Sequence, residues 1–371
     1  MGLLVASPMY PNPTNRGDKL RWHALLTSLA TLAKLEAIFG FAPGRDVRSA
    51  AFERLFCSVK IVPANVLQFV SAGLALELAG RPSVFGRLAT PGWRSGVFSA
   101  ASSGSPVLLL GPSASAIPDL PFPAVLDLID VSSRVRTPSG DRLTKDTVLS
   151  AELEMSRRFV VILACEDDRK WLIRHGGDER RLVAIPNGVD PQLFEAARHP
   201  SRGVLLFVGN FNFQPNREAL TWFLEHCWPV LQADRSGLSL RVVGYGADRI
   251  RERPPAVEIF ANAPDMLPHY QESEVAIAPL QSASGVQNKV IEAMAAGLPV
   301  VCTSPVSRGL SDGHPAVVAD DRDGFIDACR ALTSDAARRE DLGAKGREYA
   351  RRSHNWNTSA NDLYNVLVNV K

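Results

Sequence analysis

The chain reads as an α/β protein carrying two doubly wound parallel sheets, and three observations predict this. Short apolar runs alternate with longer amphipathic stretches over nearly the whole length, the pattern of parallel strands covered on both faces by crossover helices. A polar, proline-containing stretch at 186–203 (PNGVDPQLFEAARHPSRG) separates two such series. The length of 371 residues gives room for two domains of ordinary size. The expected division is 1–186 for the first domain, 187–353 for the second, and 354–371 as a closing helix.

The elements follow in order. LLVAS at 3–7 is a first strand, and KLRWHALLTSLATLA, from Lys19, repeats apolar residues at helical spacing. AVLDLID (124–130) and RFVVILAC (158–165) read as later buried strands of the first series. In the second series GVLLFVGN (203–210) is a strand ending in Gly-Asn, followed by one helix from about Asn216 to Leu231. LSLRVVGYG (238–246), VEIFA (257–261) and SEVAIAPL (273–280) are further strands. A helix from Asn288 to Ala296 stops at Gly297, and the strand LPVVCTS (298–304) follows it. Right-handed crossovers turn each series into one sheet, with ligands expected in a cleft at the carboxyl ends of the strands. The tail from about Glu340 is helical, first basic and then amphipathic.

Composition excludes several classes. Lys+Arg 41 against Asp+Glu 39 leaves a net charge of +2, too balanced for a protein that neutralises a nucleic-acid backbone. Cys57, Cys165, Cys227, Cys302 and Cys329 are odd in number and contain no C-x-x-C pair, which fits a reducing compartment and excludes a disulfide framework or a zinc ribbon. The seven histidines show no metal-ligand spacing, so no metal cofactor is expected. MGLLVASPMYPNP has no basic residue before its apolar run, so no secretion signal is read, and a cytoplasmic location is expected. The greasiest run, 66–79, is interrupted by Glu77 and is too short to span a bilayer. The wider segment 66–98 adds Arg81, Phe85, Arg87, Trp93 and Arg94, a mixture suited to peripheral contact with anionic lipid; a packed helix with a solvated basic loop is the plainer alternative.

The strongest chemical signal is SGVQNKVIEAMAAGLPVV (284–301). A loop containing Gly285 leads into a helix start, where backbone N–H groups and the positive end of the helix dipole favour an anion. Lys289 and Glu292 stand three residues apart on one helical face, a cation for phosphate and a carboxylate for ribose hydroxyls. A surface ion pair is the competing reading. In the first half, Asn15-Arg16-Gly17-Asp18 lies between the first strand and the first helix. Gly17 permits close backbone approach, and Asp18 is placed to cap the helix that begins near Lys19. Arg16 suits an acceptor phosphate or a donor diphosphate.

Asp127 and Asp130 close a strand on opposite sides. Asp130, nearer the carboxyl end, is favoured to orient an acceptor, with Asp127 a structural group. Asp321-Arg322-Asp323 spells the D-x-D of metal sites but precedes a helix, where a capping turn explains it better. Glu166-Asp167-Asp168 also opens a helix, where acids suit the dipole. Gly244-Tyr245-Gly246 is an incomplete dinucleotide fingerprint that marks a turn, and Cys165 and Cys302 read as core residues.

The string G-x-x-N-K-x-x-E-A-M-A-A-G-x-P-V-V resembles the nucleotide-sugar site of GT-B glycosyltransferases, specifically the retaining glycosyltransferase family 4 and its bacterial exopolysaccharide-associated members. PNPTNRGDKLR (11–21), VLDLIDVSSRV (125–135), IPNGVDPQLF (185–194), LLFVGNFNFQPNREALTWF (205–223) and VAIAPLQSASGVQNK (275–289) agree in order along the chain. The resemblance implies a GT-B architecture of two Rossmann-like domains facing across a cleft, with the last helix crossing back to the first. It implies transfer of a sugar from a UDP- or GDP-linked donor to a saccharide or lipid-linked saccharide acceptor, with retention and without a metal. Gly209, Asn210, Ser284, Gly285, Gln287, Asn288, Lys289 and Glu292 fall at donor positions; Arg16, Gly17 and Asp18 at acceptor positions; Lys289, Asp130 and Arg16 would take part in the chemistry.

Two positions depart from that family. Ser284 stands where relatives carry a glutamate that binds the transferred sugar, which removes a charge-assisted bond. Gly209-Asn210-Phe211-Asn212-Phe213 replaces a loop that in many relatives carries an arginine and a lysine, so no formal charge is expected there and the electrostatic duty passes to Lys289. A GT-B-fold nucleotide-sugar 2-epimerase and an inactive nucleotide- or polysaccharide-binding assembly subunit are the alternatives.

Overall fold

The computed structural model describes the chain except residues 1, 15, 79–84, 87, 102–103, 118–119, 121–123, 135–143, 235–236, 252 and 371. It separates into two units, Met1–Asn187 with Trp356–Lys371, and Gly188–Asn355. The first unit runs β1 (Gly2–Ser7), α1 (Gly17–Leu29), β2 (Lys34–Phe41), α2 (Ala50–Glu53), β3 (Ser58–Pro63), α3 (Val66–Leu78), α4 (Pro91–Ala101), β4 (Val107–Leu110), β5 (Ala124–Ile129), α5 (Lys145–Arg158), β6 (Val160–Leu163), α6 (Glu166–Arg174) and β7 (Leu182–Ala184). The second runs β8 (Val204–Val208), α7 (Gln214–Trp222), α8 (Trp228–Asp234), β9 (Ser239–Gly244), β10 (Val257–Ala261), α9 (Leu267–Glu272), β11 (Val275–Ala278), α10 (Asn288–Ala295), β12 (Val300–Cys302), α11 (Ser304–Ser307), β13 (Val317–Val318), α12 (Arg322–Ser334) and α13 (Ala336–Ser353). The last helix, α14 (Trp356–Asn369), belongs to the first unit.

Both sheets are parallel. The first has the order β3-β2-β1-β4-β5-β6-β7 and the second β10-β9-β8-β11-β12-β13. Each order reverses once, between β1 and β4 and between β8 and β11, and at such a switch point neighbouring loops diverge and leave a crevice. Central strands are apolar on both faces: Leu3, Leu4, Val5 and Ala6 of β1 and all four residues of β4 are buried, as helices on both sides require. Around them Trp22, Trp93, Val97 and Leu126 exclude water. Gly111 has φ +82, and a Cβ there would stand 2.8 Å from the Trp22 ring, so glycine is needed for both backbone and space.

α14 packs into the first unit through buried Ser359, Ala360, Leu363 and Leu367, spaced as one helical stripe, and Ser359 donates to the Pro186 carbonyl at 2.8 Å. The helix expected over 216–231 runs without interruption from Gln214 to Asp234 and widens into a π-turn at Phe223–Cys227, which joins α7 to α8. Pro229 is the physical reason, because it offers no N–H to the preceding turn and its ring crowds the carbonyl four residues back. α1 starts at Gly17 rather than near Lys19, with Arg16 at its N-cap position.

Candidate functional site

The switch point of the second unit carries two half-buried charges, Lys289 and Glu292. The loop after β8 begins at Gly209, whose carbonyl is closely approached by Gly244: a Cβ on Gly244, at φ +145, would stand 1.9 Å from it. Asn210 folds the loop on itself by accepting the Asn212 N–H at 3.0 Å, so its amide oxygen is used locally. Asn216, in the first turn of α7, donates to the Asn210 carbonyl at 2.9 Å and accepts from Lys289 Nζ at 2.5 Å. The Lys289 ammonium also lies 5.7 Å from the centre of the Phe207 ring, a cation–π distance.

Lys289 and Glu292 do not form the surface ion pair that spacing allowed. Both are half-buried, and each has its own neutral partner: Asn216 for Lys289, and Tyr270, whose hydroxyl donates to Glu292 at 2.8 Å. Burial lowers the Lys289 pKa to about 7, opposed by the nearby Glu292 charge. Burial raises the Glu292 pKa, opposed by the Tyr270 hydrogen bond, while the Asp190 charge adds to the rise. Two charges are thus held in a poorly solvated place with less compensation than they need, the condition in which an added anion or hydroxyl gains most.

The helix bearing them is fixed at its far end. Arg347 donates to the carbonyls of Ala295 at 3.2 Å and Ala296 at 3.0 Å, and Arg198 to that of Gly297 at 2.7 Å, satisfying the last turn of α10 with cations. At the near end Gln287 occupies the N-cap position of α10 and makes no capping bond with its side chain, which donates instead to the Ser284 carbonyl at 3.1 Å. Gly285, at φ +60, turns the loop into the helix, and its carbonyl leaves room only for glycine at 309, where a Cβ would stand 2.1 Å away. Ser284, Gly285, Gln287, Asn288, Lys289 and Glu292 therefore lie within one loop-helix junction, with Gly209 and Asn210 joined to it through Asn216.

The loop after β8 carries no charge of its own, and two arginines from outside it reach its polar groups. Arg249 donates to Asn212 Oδ1 at 2.8 Å, and Arg217 to the Phe211 carbonyl at 2.7 Å. Both arginines are exposed. Nothing in the loop's own spelling announces them; their signal is that Arg249 follows β9, whose carboxyl end neighbours that of β8.

In the first unit the switch point carries a cavity of about 630 Å3 lined in part by Arg16, Asp18, Arg45 and Ser113. Asp18 does not cap α1. It sits inside the first turn, accepts the Lys19 N–H at 2.8 Å and pairs with the exposed Arg16 at 2.5 Å. Asn15 lies outside the described residues. Asp130 follows β5 after a register shift and a left-handed Ile129 (φ 76), so the simple alternation that set it opposite Asp127 does not hold. Burial, with Asp168 and Asp127 nearby, raises the Asp130 pKa to about 8 against the opposing Arg21 charge. Asp130 is not among the residues lining the cavity, so the structure does not bring it together with Arg16 there.

Asp127 is a structural anchor. It accepts from Arg21 at 3.0 Å and from the Trp22 indole at 3.1 Å, while Arg21 also donates to the Ile185 carbonyl at 2.9 Å and to Asn187 at 2.6 Å. Asp168 is more than a dipole partner: it accepts the Val131 N–H at 3.2 Å and pairs with Arg134, which also holds Asp167 at 2.6 Å. Asp321 caps α12 through the Gly324 N–H at 2.8 Å. Among the described residues no group of three or more His, Cys, Asp or Glu gathers as a metal site. Among the same residues no helix is long and apolar enough to cross a membrane.

Residues 202–335 match the family model described as glycosyl transferases group 1. The chain is 30% identical over 250 residues to the D-inositol 3-phosphate glycosyltransferase of Geodermatophilus obscurus, a match covering 57% of this chain and 53% of that protein, so the chain spans about half the length of that relative. Among solved structures it resembles Anabaena Alr3699/HepE in complex with UDP, with a TM-score of 0.71, 14% identity and coverage of 99% and 100% of the two chains. It resembles sucrose-phosphate synthase from Thermosynechococcus elongatus equally, with a TM-score of 0.71, 15% identity and full coverage of both chains. The chain has the GT-B fold, two Rossmann-like parallel-sheet units, and through its second unit it is related to the group 1 glycosyl transferases.

Proposed function

We propose that the protein transfers a sugar from a nucleoside-diphosphate donor to a saccharide or lipid-linked saccharide acceptor, in polysaccharide or glycoconjugate synthesis. The donor would occupy the second unit, and the first unit, residues 1–186 with the last helix, would hold the acceptor. One observation carries the reading: Lys289 and Glu292 share a half-buried helix face at a sheet switch point, each with a single neutral hydrogen-bond partner, inside the segment matching group 1 glycosyl transferases. Alr3699/HepE, of the same fold, has been solved with UDP and with UDP-glucose, which supports a uridine donor.

In this reading the Lys289 ammonium and the uncapped start of α10 meet the diphosphate. As the bond to the sugar breaks, negative charge grows on the leaving phosphate, and donors already in place stabilise it without rearrangement of solvent. Glu292, steered by Tyr270, accepts from ribose hydroxyls. Ser284 and Gln287 serve the transferred sugar, and Arg217 and Arg249 add positive charge beside Asn210. Asp130 and Arg16 are assigned to the acceptor, with Gly17 and Asp18. Retention, independence from metal ions, a cytoplasmic site of action and peripheral membrane contact through 66–98 belong to the same proposal; within that segment Arg81 and Arg87 lie outside the described residues.

Ser284 favours a second reading, a nucleotide-binding assembly subunit without turnover, because a hydroxyl replaces the charge expected to hold the sugar. Titration with UDP, GDP and dTDP, followed by assay of the matching radiolabelled sugar nucleotides with a crude glycolipid acceptor fraction, separates the two. Transfer with measurable product anomericity supports the enzyme; binding with no turnover supports the subunit; binding of none of the three by folded protein contradicts both.

A further inference from the structure

Among the described residues the Lys289 ammonium has one hydrogen-bond acceptor, the amide oxygen of Asn216 at 2.5 Å. The surroundings of its stem offer no second one, because Lys289 lines a narrow apolar crevice with Leu206, Val208, Ala278 and Val290. On the same amide the N–H side donates to the Asn210 carbonyl at 2.9 Å, and that carbonyl also accepts the Phe213 N–H at 3.1 Å. Asn216 is 6% exposed and comes from the first turn of α7, so one buried side chain ties α10 to the loop after β8. Gly209 leaves the room for it. A Cβ there would stand 3.2 Å from Asn216 Cγ and 3.3 Å from Asn216 Cβ, so any larger residue would press on the amide.

Only an amide fits both ends of this link. A carbonyl needs a donor and an ammonium needs an acceptor, and asparagine supplies one of each in a fixed orientation. Aspartate would face the Asn210 carbonyl with an oxygen and would also cancel the lysine charge. Lys19 shows that second outcome in the first unit, where it is buried and paired with Asp46 at 2.9 Å. The charge acting on Lys289 is that of Glu292 on its own helix, whose carboxylate is held by Tyr270 of α9 and feels Asp190 from the segment before β8. Arg217 and Arg249 turn to the Phe211 carbonyl and to Asn212 instead.

We propose that Asn216 is a positioning residue: it locks the Lys289 ammonium to the loop after β8, so that cation and loop meet a bound diphosphate as one preorganised unit, and being neutral it leaves the lysine charge for the ligand. That the ligand is a diphosphate rests on the glycosyl-transfer reading; the lock rests on the amide, its two partners and the glycine that admits it. A cation already in place needs no rearrangement of solvent when charge arrives. Without the lock, the ligand itself would have to order a long, rotamer-rich side chain and the loop beside it, which weakens binding.

Lysine labelled with carbon-13 at Cε reads the ammonium directly by NMR in the unliganded full chain, the Lys289 signal being the one absent from Lys289→Ala. In wild type that signal should titrate with a midpoint of about 7. Asn216→Asp sets a charge against the ammonium and should move the midpoint up, whereas Asn216→Leu removes the acceptor and should move it down, each by about one pH unit or more. UDP affinity at neutral pH, read by calorimetry, should fall about tenfold in both variants. A residue that merely packs would leave the midpoint where it was. Unmoved midpoints in variants with wild-type circular dichroism therefore overturn the proposal, and so does a UDP affinity in Asn216→Asp within about twofold of wild type. Should Asn216→Leu not fold, Gly209→Ala takes its place: the added methyl displaces the amide and should move the midpoint down, and an unmoved midpoint there contradicts the lock equally. Wild-type protein that binds no UDP, with the midpoints displaced as expected, would remove the diphosphate reading and leave the lock standing.

Discussion

The two units each bury charge beside a parallel sheet, and they treat it differently. In the first, Arg21 and Asp127 are fully enclosed and surrounded by matching groups: a two-pronged ion pair, an indole N–H, a backbone carbonyl and an amide oxygen. In the second, Lys289 and Glu292 each have one neutral hydrogen-bond partner, and burial shifts both toward their uncharged forms. A saturated cluster holds a fold together, whereas an unsaturated one has capacity left for a ligand. The difference separates a structural charge from a functional one without reference to residue type.

The largest expected effect breaks the unsaturated cluster. Lys289→Ala should lower sugar transfer by about 10²–10³, the loss of one preorganised donor worth roughly 2.7–4 kcal/mol in the transition state, as read by kcat on the labelled donor. The folded protein should remain intact, since Asn216 keeps its bond to the Asn210 carbonyl and Glu292 keeps that from Tyr270. In the saturated cluster the pattern reverses. Arg21→Met should cost about 3–5 kcal/mol in denaturant unfolding by leaving Asp127 buried and unpaired, and the double variant with Asp127→Leu should recover most of that loss. A single variant that proves neutral would place Arg21 among the dispensable charges and remove the contrast.

A smaller effect sharpens the comparison through pH. Burial lowers the Lys289 pKa from 10.5 to about 7, so between those values the unfolded chain binds the proton more tightly than the folded one. The contribution of Lys289 to stability therefore rises with pH across that window, and melting curves should show the rise in wild type and lose it in Lys289→Ala. Asp130 has the opposite sign: its folded pKa is raised from 3.8 to about 8, so its contribution falls as pH climbs through that range, and Asp130→Asn should gain stability on wild type toward pH 8. Smallest of all, Asp321→Ala should remove one helix cap, about 1 kcal/mol by thermal unfolding, and leave transfer unchanged.

Much of this was legible in the sequence, and the gaps have physical causes. Strands buried on both faces, such as β1, β5, β8 and β11, are continuous apolar runs and stand out. β2 and β3 do not, because KLEAIFGF alternates at its start and SVKIVP lies at the sheet edge with a mixed exposure pattern. β4 is four residues long, VLLL between Ser-Gly-Ser-Pro and Gly-Pro-Ser, too short a run to show a period of its own. Within the site, Lys289 and Glu292 could be read from their three-residue spacing, since a helix converts that spacing into a shared face. Their partners could not: Asn216 is 73 residues from Lys289 and Tyr270 is 22 from Glu292, and only the closing of the sheet brings them together. Arg249 escaped for the same reason, at 37 residues from Asn212.

The central claim is that Lys289 is a half-buried, poorly solvated cation waiting for an anion, and the pH dependence of UDP affinity tests it most directly. A bound diphosphate favours the protonated ammonium, so wild-type affinity should fall as pH rises from 6 to 9 around the unliganded pKa of about 7. Lys289→Ala should bind more weakly and lose that part of the pH dependence. Identical pH profiles for the two proteins, or undiminished UDP affinity in the variant, would contradict the account.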